Sequence, residues 1–288
     1  GSFHCACAAL LNPGDEVILF EPYYQYHATA LKSVDTVPVP VRMQPPDWTF
    51  SLAEVERAVT NRTRAIVVNS PGNPSGKVFS RAELEGIAAI ATRHDLFVFT
   101  DEIYEYMLYD GRQHVSLATL PDMAERTITI GGYSKTFSIT GWRIGYSVAA
   151  ERWAHLIGAM NDLLYVCAPA PLQMGVAAGI NELPDSFYLE MAREYQRKRD
   201  RFCEALLRAG LTPSVPQGAY YVLADASRLP GKTGKARAMA LLEMAGVAAV
   251  PGEAFFSGPE GAQFVRFSYA KTESDFDEAC RRVGKLHL

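Results

Sequence analysis

The chain has 288 residues, is 48% hydrophobic and 21% charged, and is long enough for a sizeable buried core and more than one domain. Its net charge is −4 with no long basic run, which gives nucleic-acid binding no support. No apolar stretch reaches transmembrane length, and no charged segment followed by an apolar signal core opens the sequence, so a cytoplasmic protein with no membrane partner is expected.

Taken in chain order, a short apolar helix over 3–11 comes first, directly at the start of the sequence. Runs at 17–20, 65–68, 97–100 and 127–130 are rich in β-branched and aromatic residues and read as buried strands. Helical stretches at 51–59 and 80–94 lie between them. In the second, Ser80 followed by Glu83 forms a capping box, and Leu84, Ile87, Ala88 and Ala91 make an apolar stripe at helical spacing. This alternation predicts right-handed crossovers and a parallel sheet buried on both faces. A helix is expected over 151–164, a break at Ala168-Pro169-Ala170-Pro171, and a long charged helix over 185–207. Strands at 219–224, 247–250 and 264–267 and a helix over 272–283 complete the reading. The soft boundary near 185 divides the chain into a large domain, 1–185, and a small C-terminal domain, 186–288.

Cys5, Cys7, Cys167, Cys203 and Cys280 are odd in number and scattered, which predicts reduced, mostly buried thiols. The six histidines show no paired spacing with cysteine or carboxylate, so no metal is expected.

Three polar constellations fall at predicted strand ends: Asn69-Ser70-Pro71-Gly72-Asn73-Pro74-Ser75-Gly76, Thr100-Asp101-Glu102-Ile103-Tyr104, and Gly131-Gly132-Tyr133-Ser134-Lys135 running on to Gly141-Trp142-Arg143. Each has an ordinary reading alone. Asn-Pro and Ser-Gly are turn dipeptides, an Asp at a strand end can cap a helix, and a lysine beside serine is commonly solvated. Neither 72–77 nor 131–136 has the glycine spacing of a phosphate-binding Walker loop. In open α/β sheets, however, ligands bind beyond the carboxyl ends of the strands, and these three segments would emerge on one sheet edge.

Together with Leu11-Asn12-Pro13-Gly14-Asp15, Pro22-Tyr23-Tyr24 and Phe264-Val265-Arg266-Phe267-Ser268, the three segments resemble the class I/II aminotransferases, pyridoxal-phosphate enzymes of fold type I. The resemblance implies a three-layer α/β/α domain with a mostly parallel central sheet, plus a smaller α+β C-terminal domain. It implies a homodimer acting on amino-acid and 2-oxo-acid substrates with pyridoxal 5'-phosphate. Lys135 would carry the cofactor as a Schiff base and move the substrate proton. Asp101 would pair with the pyridine nitrogen, Tyr104 and Asn73 would bond the ring 3-oxygen, and Tyr24 would stack on the ring. Arg143 would hold the phosphate and Arg266 the substrate α-carboxylate. Gly132 departs from the pattern, because many relatives carry a phosphate-binding serine three residues before the lysine. Gly1-Ser2 looks like the trailing edge of a phosphate loop, so the sequence is expected to be a fragment. Tyr23, Tyr24, Tyr26 and Tyr165 suggest an aromatic-lined site. Two alternatives share the lysine and aspartate: a lyase or synthase such as a carbon–sulfur β-lyase, and a non-catalytic sensor domain of a transcription regulator.

Overall fold

The structure is a computed structural model that describes residues 1–288. Six strands form the larger sheet: β1 (Glu16–Glu21), β2 (Val37–Arg42), β3 (Thr63–Asn69), β4 (Phe97–Asp101), β5 (Thr127–Gly132) and β6 (Gly145–Val148), in the order β2-β1-β3-β4-β5-β6. All neighbours are parallel except β5 and β6, which run antiparallel. Around them lie α1 (Ser2–Leu10), α2 (Gln25–Lys32), α3 (Leu52–Arg57), α4 (Arg81–Arg93), α5 (Glu151–Tyr165) and α6 (Ala170–Glu182).

The period of two along a strand builds the three layers. Val17, Leu19, Ala65, Val67, Phe99 and Ile128 pack with Cys5, Ala6 and Cys7 of α1 and Ile157 of α5 on one face. Ile18, Phe20, Ile66, Val68 and Val98 pack with the α4 stripe on the other, and that stripe contains Leu84, Ile87, Ala88 and Ala91 as its spacing predicts. The capping box of α4 forms as well: Ser80 Oγ accepts from the Glu83 amide at 3.3 Å, and Glu83 Oε2 accepts from the Ser80 amide at 2.7 Å.

A second, four-stranded sheet is antiparallel throughout, with β7 (Thr212–Pro213), β8 (Tyr221–Asp225), β9 (Val250–Pro251) and β10 (Phe264–Ser268) in the order β7-β8-β10-β9. Helices α7 (Asp185–Arg208), α8 (Gly234–Ala245) and α9 (Glu273–Val283) accompany it. Its core joins Phe202, Leu206, Val222, Val265, Phe267 and Phe276 with Tyr104 and Met107 from the turn after β4.

Several elements differ from their sequence-based expectation. β2 was not among the expected strands, and it contains Pro38 and Pro40; the Val37 and Met43 amides donate to Asp15 O at 2.8 Å and Glu21 O at 2.7 Å. Odd-numbered residues thus face β1, and both prolines fall on the outward register of an edge strand, where no amide is needed. The expected break at 168–171 is present, since the chain is non-helical over 166–169, but it is short: α6 begins at Ala170, and Pro171 lies in its first turn, where a missing amide costs nothing. β9 keeps only Val250 of the four residues expected at 247–250, and α2, α6 and α8 were not anticipated. All five cysteines are free thiols, with Cys5, Cys7 and Cys203 buried and Cys167 exposed. No helix is long and apolar enough to cross a membrane.

Candidate active site

The carboxyl ends of β3, β4 and β5 lie side by side, with Asn69 registered to Asp101 and Asp101 to Ile130. The chain leaves each strand in a tight loop. Asn69 organises the first: its Nδ2 donates to Asp101 O at 3.1 Å and its Oδ1 accepts from the Asn73 amide at 2.8 Å. Asn73 is held there 7% exposed. Gly76 closes the loop at φ +68°, and a Cβ on it would stand 2.4 Å from Pro216 Cβ, so only glycine fits. The Gln217 and Gly218 amides both donate to Gly76 O at 2.9 Å, which pins this loop to the segment entering β8.

Asp101 ends β4. Its Oδ2 lies 2.9 Å from His27 Nε2, and its Oδ1 accepts from the Ile103 amide at 3.3 Å. His27, on the first turn of α2, is 4% exposed. The turn that follows is anchored from behind, because buried Glu102 meets His114 Nε2 at 2.7 Å and accepts from Ser116 Oγ at 2.9 Å. That turn carries Tyr104, 3% exposed, whose hydroxyl donates to the Tyr221 hydroxyl at 3.3 Å. Burial, then the neighbouring Tyr220 and Tyr221 phenols, hold the Tyr104 phenol well above its ordinary value. Tyr104 is therefore protonated and able to donate across the physiological range.

Lys135 lies three residues beyond β5, half-buried in a turn, with Nζ 6.0 Å from the centroid of the Tyr220 ring. Tyr220 packs edge-on to Tyr104 at 5.2 Å, which joins the lysine to the Asp101–Tyr104 turn. Tyr24 immediately precedes α2 and packs edge-on to His27 at 5.3 Å. Burial raises its phenol to about 12; Tyr221, Tyr26 and Asp101 add to that rise and Arg266 opposes it. A small cleft opens among Tyr24, His27, Asn69, Gly72 and Asn73.

Arg266 reaches this cluster from β10 of the second sheet. Its Nη1 donates to Asn73 Oδ1 at 3.0 Å, and its guanidinium lies 4.3 Å from the Tyr221 ring centroid and 5.0 Å from that of Phe255. Its Nε is buried without a partner. A half-buried cation with an unused, buried donor is a site prepared for an anion.

Six of the seven site residues expected from the sequence thus converge: Tyr24, Asn73, Asp101, Tyr104, Lys135 and Arg266. Arg143 stands on the exposed rim in left-handed backbone at φ 59°, where its Nη1 donates to Thr140 O at 2.8 Å. Of the other tyrosines the sequence suggested, Tyr26 packs edge-on to Tyr24 at 5.2 Å from the exposed side and Tyr165 is 54% exposed. Further aromatic wall comes from Tyr220, Tyr221 and Phe255. Sequence reasoning also missed His27, although its place three residues after Tyr24, one helical turn into α2, was a usable signal. The Glu102–His114 pair had none, because twelve residues of irregular chain separate the partners.

Comparison with known proteins agrees with this geometry. Residues 3–283 match the family model described as aminotransferase class I and II. Kynurenine–oxoglutarate transaminase 3 of Mus musculus is 36% identical, over 97% of this chain and 68% of its own length. Kynurenine–oxoglutarate transaminase 1 of Homo sapiens is 34% identical, over 99% of this chain and 75% of its own. The structure of N-succinyldiaminopimelate aminotransferase from Mycobacterium tuberculosis superposes with a TM-score of 0.93 at 34% identity, covering 99% of this chain and 75% of that one. Thermus thermophilus aspartate aminotransferase with maleate superposes with a TM-score of 0.90 at 36% identity, over 99% and 73%. A parallel sheet that brings an amine, a carboxylate, an amide and a phenol to adjoining strand ends, in a chain similar to these enzymes along almost all of its length, leaves one conclusion: the chain belongs to the class I and II aminotransferases, enzymes that move an amino group between an amino acid and a 2-oxo acid.

Proposed function

We propose that this aminotransferase takes its amino group from L-amino acids with aromatic or other large side chains and works through pyridoxal 5'-phosphate carried on Lys135. The observation that carries the reading is the pairing of two opposite demands in one cluster. A carboxylate, Asp101, is held at a strand end by His27 and a backbone amide, and a half-buried guanidinium, Arg266, has an unused, buried Nε.

The residues present fit the cofactor. Asp101 offers negative charge to a ring nitrogen, Tyr104 and Asn73 offer donors to a ring oxygen, and Tyr24 offers an aromatic face. Arg143 would take the phosphate and Lys135 the aldehyde carbon. Bound pyridoxal phosphate supplies the electron sink that stabilises negative charge at the substrate Cα. The protein supplies the rest. Arg266 grips the α-carboxylate and fixes where the Cα–H bond points. Lys135 is the group whose neutral amine would take that proton as a general base and return it as a general acid. Tyr220, Tyr221 and Phe255 crowd the carboxylate end and exclude water from it. The aromatic wall and the names of the kynurenine–oxoglutarate transaminases support an aromatic donor with a 2-oxo diacid acceptor.

A half-reaction tests this. Mixed with an aromatic amino donor and no acceptor, the loaded enzyme is expected to release one equivalent of 2-oxo acid and no ammonia. Continuous ammonia release would mark a β-lyase on this scaffold instead.

We also propose that the chain divides near 185 into a large and a small domain, and that it works as a cytoplasmic homodimer. Leu163, Val166 and Met174 of the α5–α6 face are more than 70% exposed, a surface suited to burial against a second copy. Sedimentation at micromolar concentration is expected to give a dimer; a monomer throughout would refute that part.

A further inference from the structure

We propose that Tyr221 is a positioning residue for amino transfer: its ring aligns the arginine that takes the substrate carboxylate, and its hydroxyl aligns the tyrosine that faces the cofactor. This rests on the reading of Arg266 and Tyr104 given above.

Strand register makes the first half possible. In the antiparallel pair β8–β10, Arg266 lies opposite Leu223, and Ser268 opposite Tyr221. Directly opposite residues share a face, and residues two apart on one strand share a face, so Tyr221 is the diagonal neighbour of Arg266. A tyrosine and an arginine are long enough to meet across that diagonal. They do: the guanidinium carbon stands 4.3 Å from the ring centroid, with Phe255 against the same group at 5.0 Å. Nη1 is tied to Asn73, so the planar group keeps only its remaining edge, with the unpartnered Nε, for an incoming carboxylate. No carboxylate of the protein holds this guanidinium in place; the aromatic rings do.

The hydroxyl supplies the second half. Tyr104 and Tyr221 are 3% and 9% exposed, and their hydroxyls lie 3.3 Å apart. Each can donate once and accept twice. With the site as it stands, Tyr104 donates to Tyr221. When Tyr104 turns its proton to a ligand oxygen, Tyr221 can reverse and donate to Tyr104. The chain of two hydroxyls then polarises Tyr104 and makes it a stronger donor. One side chain thereby sets both the carboxylate grip and the donor strength at the cofactor oxygen.

The two arms separate by substitution. Tyr221→Phe keeps the ring and deletes the hydroxyl; Tyr221→Leu deletes both. Tyr104→Phe and Arg266→Lys serve as controls. All are studied as cofactor-loaded full chain, with thermal unfolding to verify the fold. Two quantities are read: KM for several amino donors and 2-oxo acids, and the pH midpoint of the bound cofactor's visible absorbance. Tyr220, Asp101, His27, Lys135, Tyr24 and Arg266, the charged and titratable groups around Tyr104 and the cofactor, are identical in the two Tyr221 variants. Tyr221→Phe is expected to leave KM within about twofold and raise the midpoint by roughly 0.4–1 pH unit, the equivalent of one weakened hydrogen bond. The direction is upward because a weaker Tyr104 donor favours the anionic ring oxygen less. Tyr221→Leu is expected to raise the midpoint likewise and also raise KM for every substrate roughly two- to thirtyfold, the loss of a desolvated cation–π contact. An unmoved midpoint in Tyr221→Phe, or equal KM changes in the two Tyr221 variants, overturns the inference. If Tyr104→Phe leaves the midpoint in place or Arg266→Lys leaves KM in place, the underlying roles of those residues fail, and the inference falls with them. The phenylalanine variant conserves volume and ring, so it remains decisive should the leucine variant not fold.

Discussion

Lys135→Ala is expected to abolish covalent attachment of pyridoxal phosphate and to lower transamination by roughly a hundred- to ten-thousandfold or more, the range that a positioned proton carrier contributes. The structure argues that no other lysine can substitute. Lys77 is 4% exposed, ion-paired with Glu83 at 2.7 Å and packed against Phe50 and Phe79. Lys198 is likewise buried and held by Glu194 at 2.8 Å and by Lys271 O at 3.0 Å. Lys135 alone stands at the carboxyl end of the parallel sheet beside Tyr220. Borohydride reduction of the loaded protein followed by peptide mapping is the measurement. The label is expected on the peptide containing Ser134-Lys135. A label on Lys77 or Lys271 would sink the assignment.

Asp101→Asn is expected to keep the fold and some cofactor while losing about 10²–10³ in kcat, the usual consequence of deleting one preorganised charge at a reacting centre. The amide can do the structural work of the carboxylate. Its oxygen can still accept from the Ile103 amide, and its nitrogen can face His27 Nε2 once that nitrogen is unprotonated. It cannot present negative charge to a ring nitrogen. Steady-state kinetics at saturating cofactor, with circular dichroism to verify the fold, separates the two roles. Turnover near that of the unsubstituted protein would count against Asp101 as the partner of the ring nitrogen.

Much of this site could be read before any coordinates, for a physical reason that is local. A buried parallel strand is a short β-branched and aromatic run, and the residues that follow its end must turn at once. Asn69-to-Gly76, Asp101-to-Tyr104 and the segment leading to Lys135 therefore announce themselves by position in sequence. The α4 capping box and stripe are equally local, requiring only residues within a few turns of one helix. Four strands and the long helix α7 were likewise recognisable by their own composition.

What lay beyond reach depends on partners distant in sequence. Two prolines concealed β2, because only its place at the sheet edge shows which of its amides are needed. The histidines lacked any spacing that linked them to carboxylates, yet His27 meets Asp101 and His114 meets Glu102 across 74 and 12 residues. The aromatic residues suggested for the pocket were incomplete, since Tyr220, Tyr221 and Phe255 reach it from segments distant in sequence. The sequence by itself determined the fold class, the order of the strand-end motifs and the reactive groups they carry, because each rests on interactions within one element or one turn. Only the tertiary structure decided that Arg266 meets Asn73 and that Tyr221 stands between Arg266 and Tyr104. Those contacts join residues 193, 45 and 117 positions apart, and their existence turns on the register of β8 against β10 and on how the second sheet packs over the first.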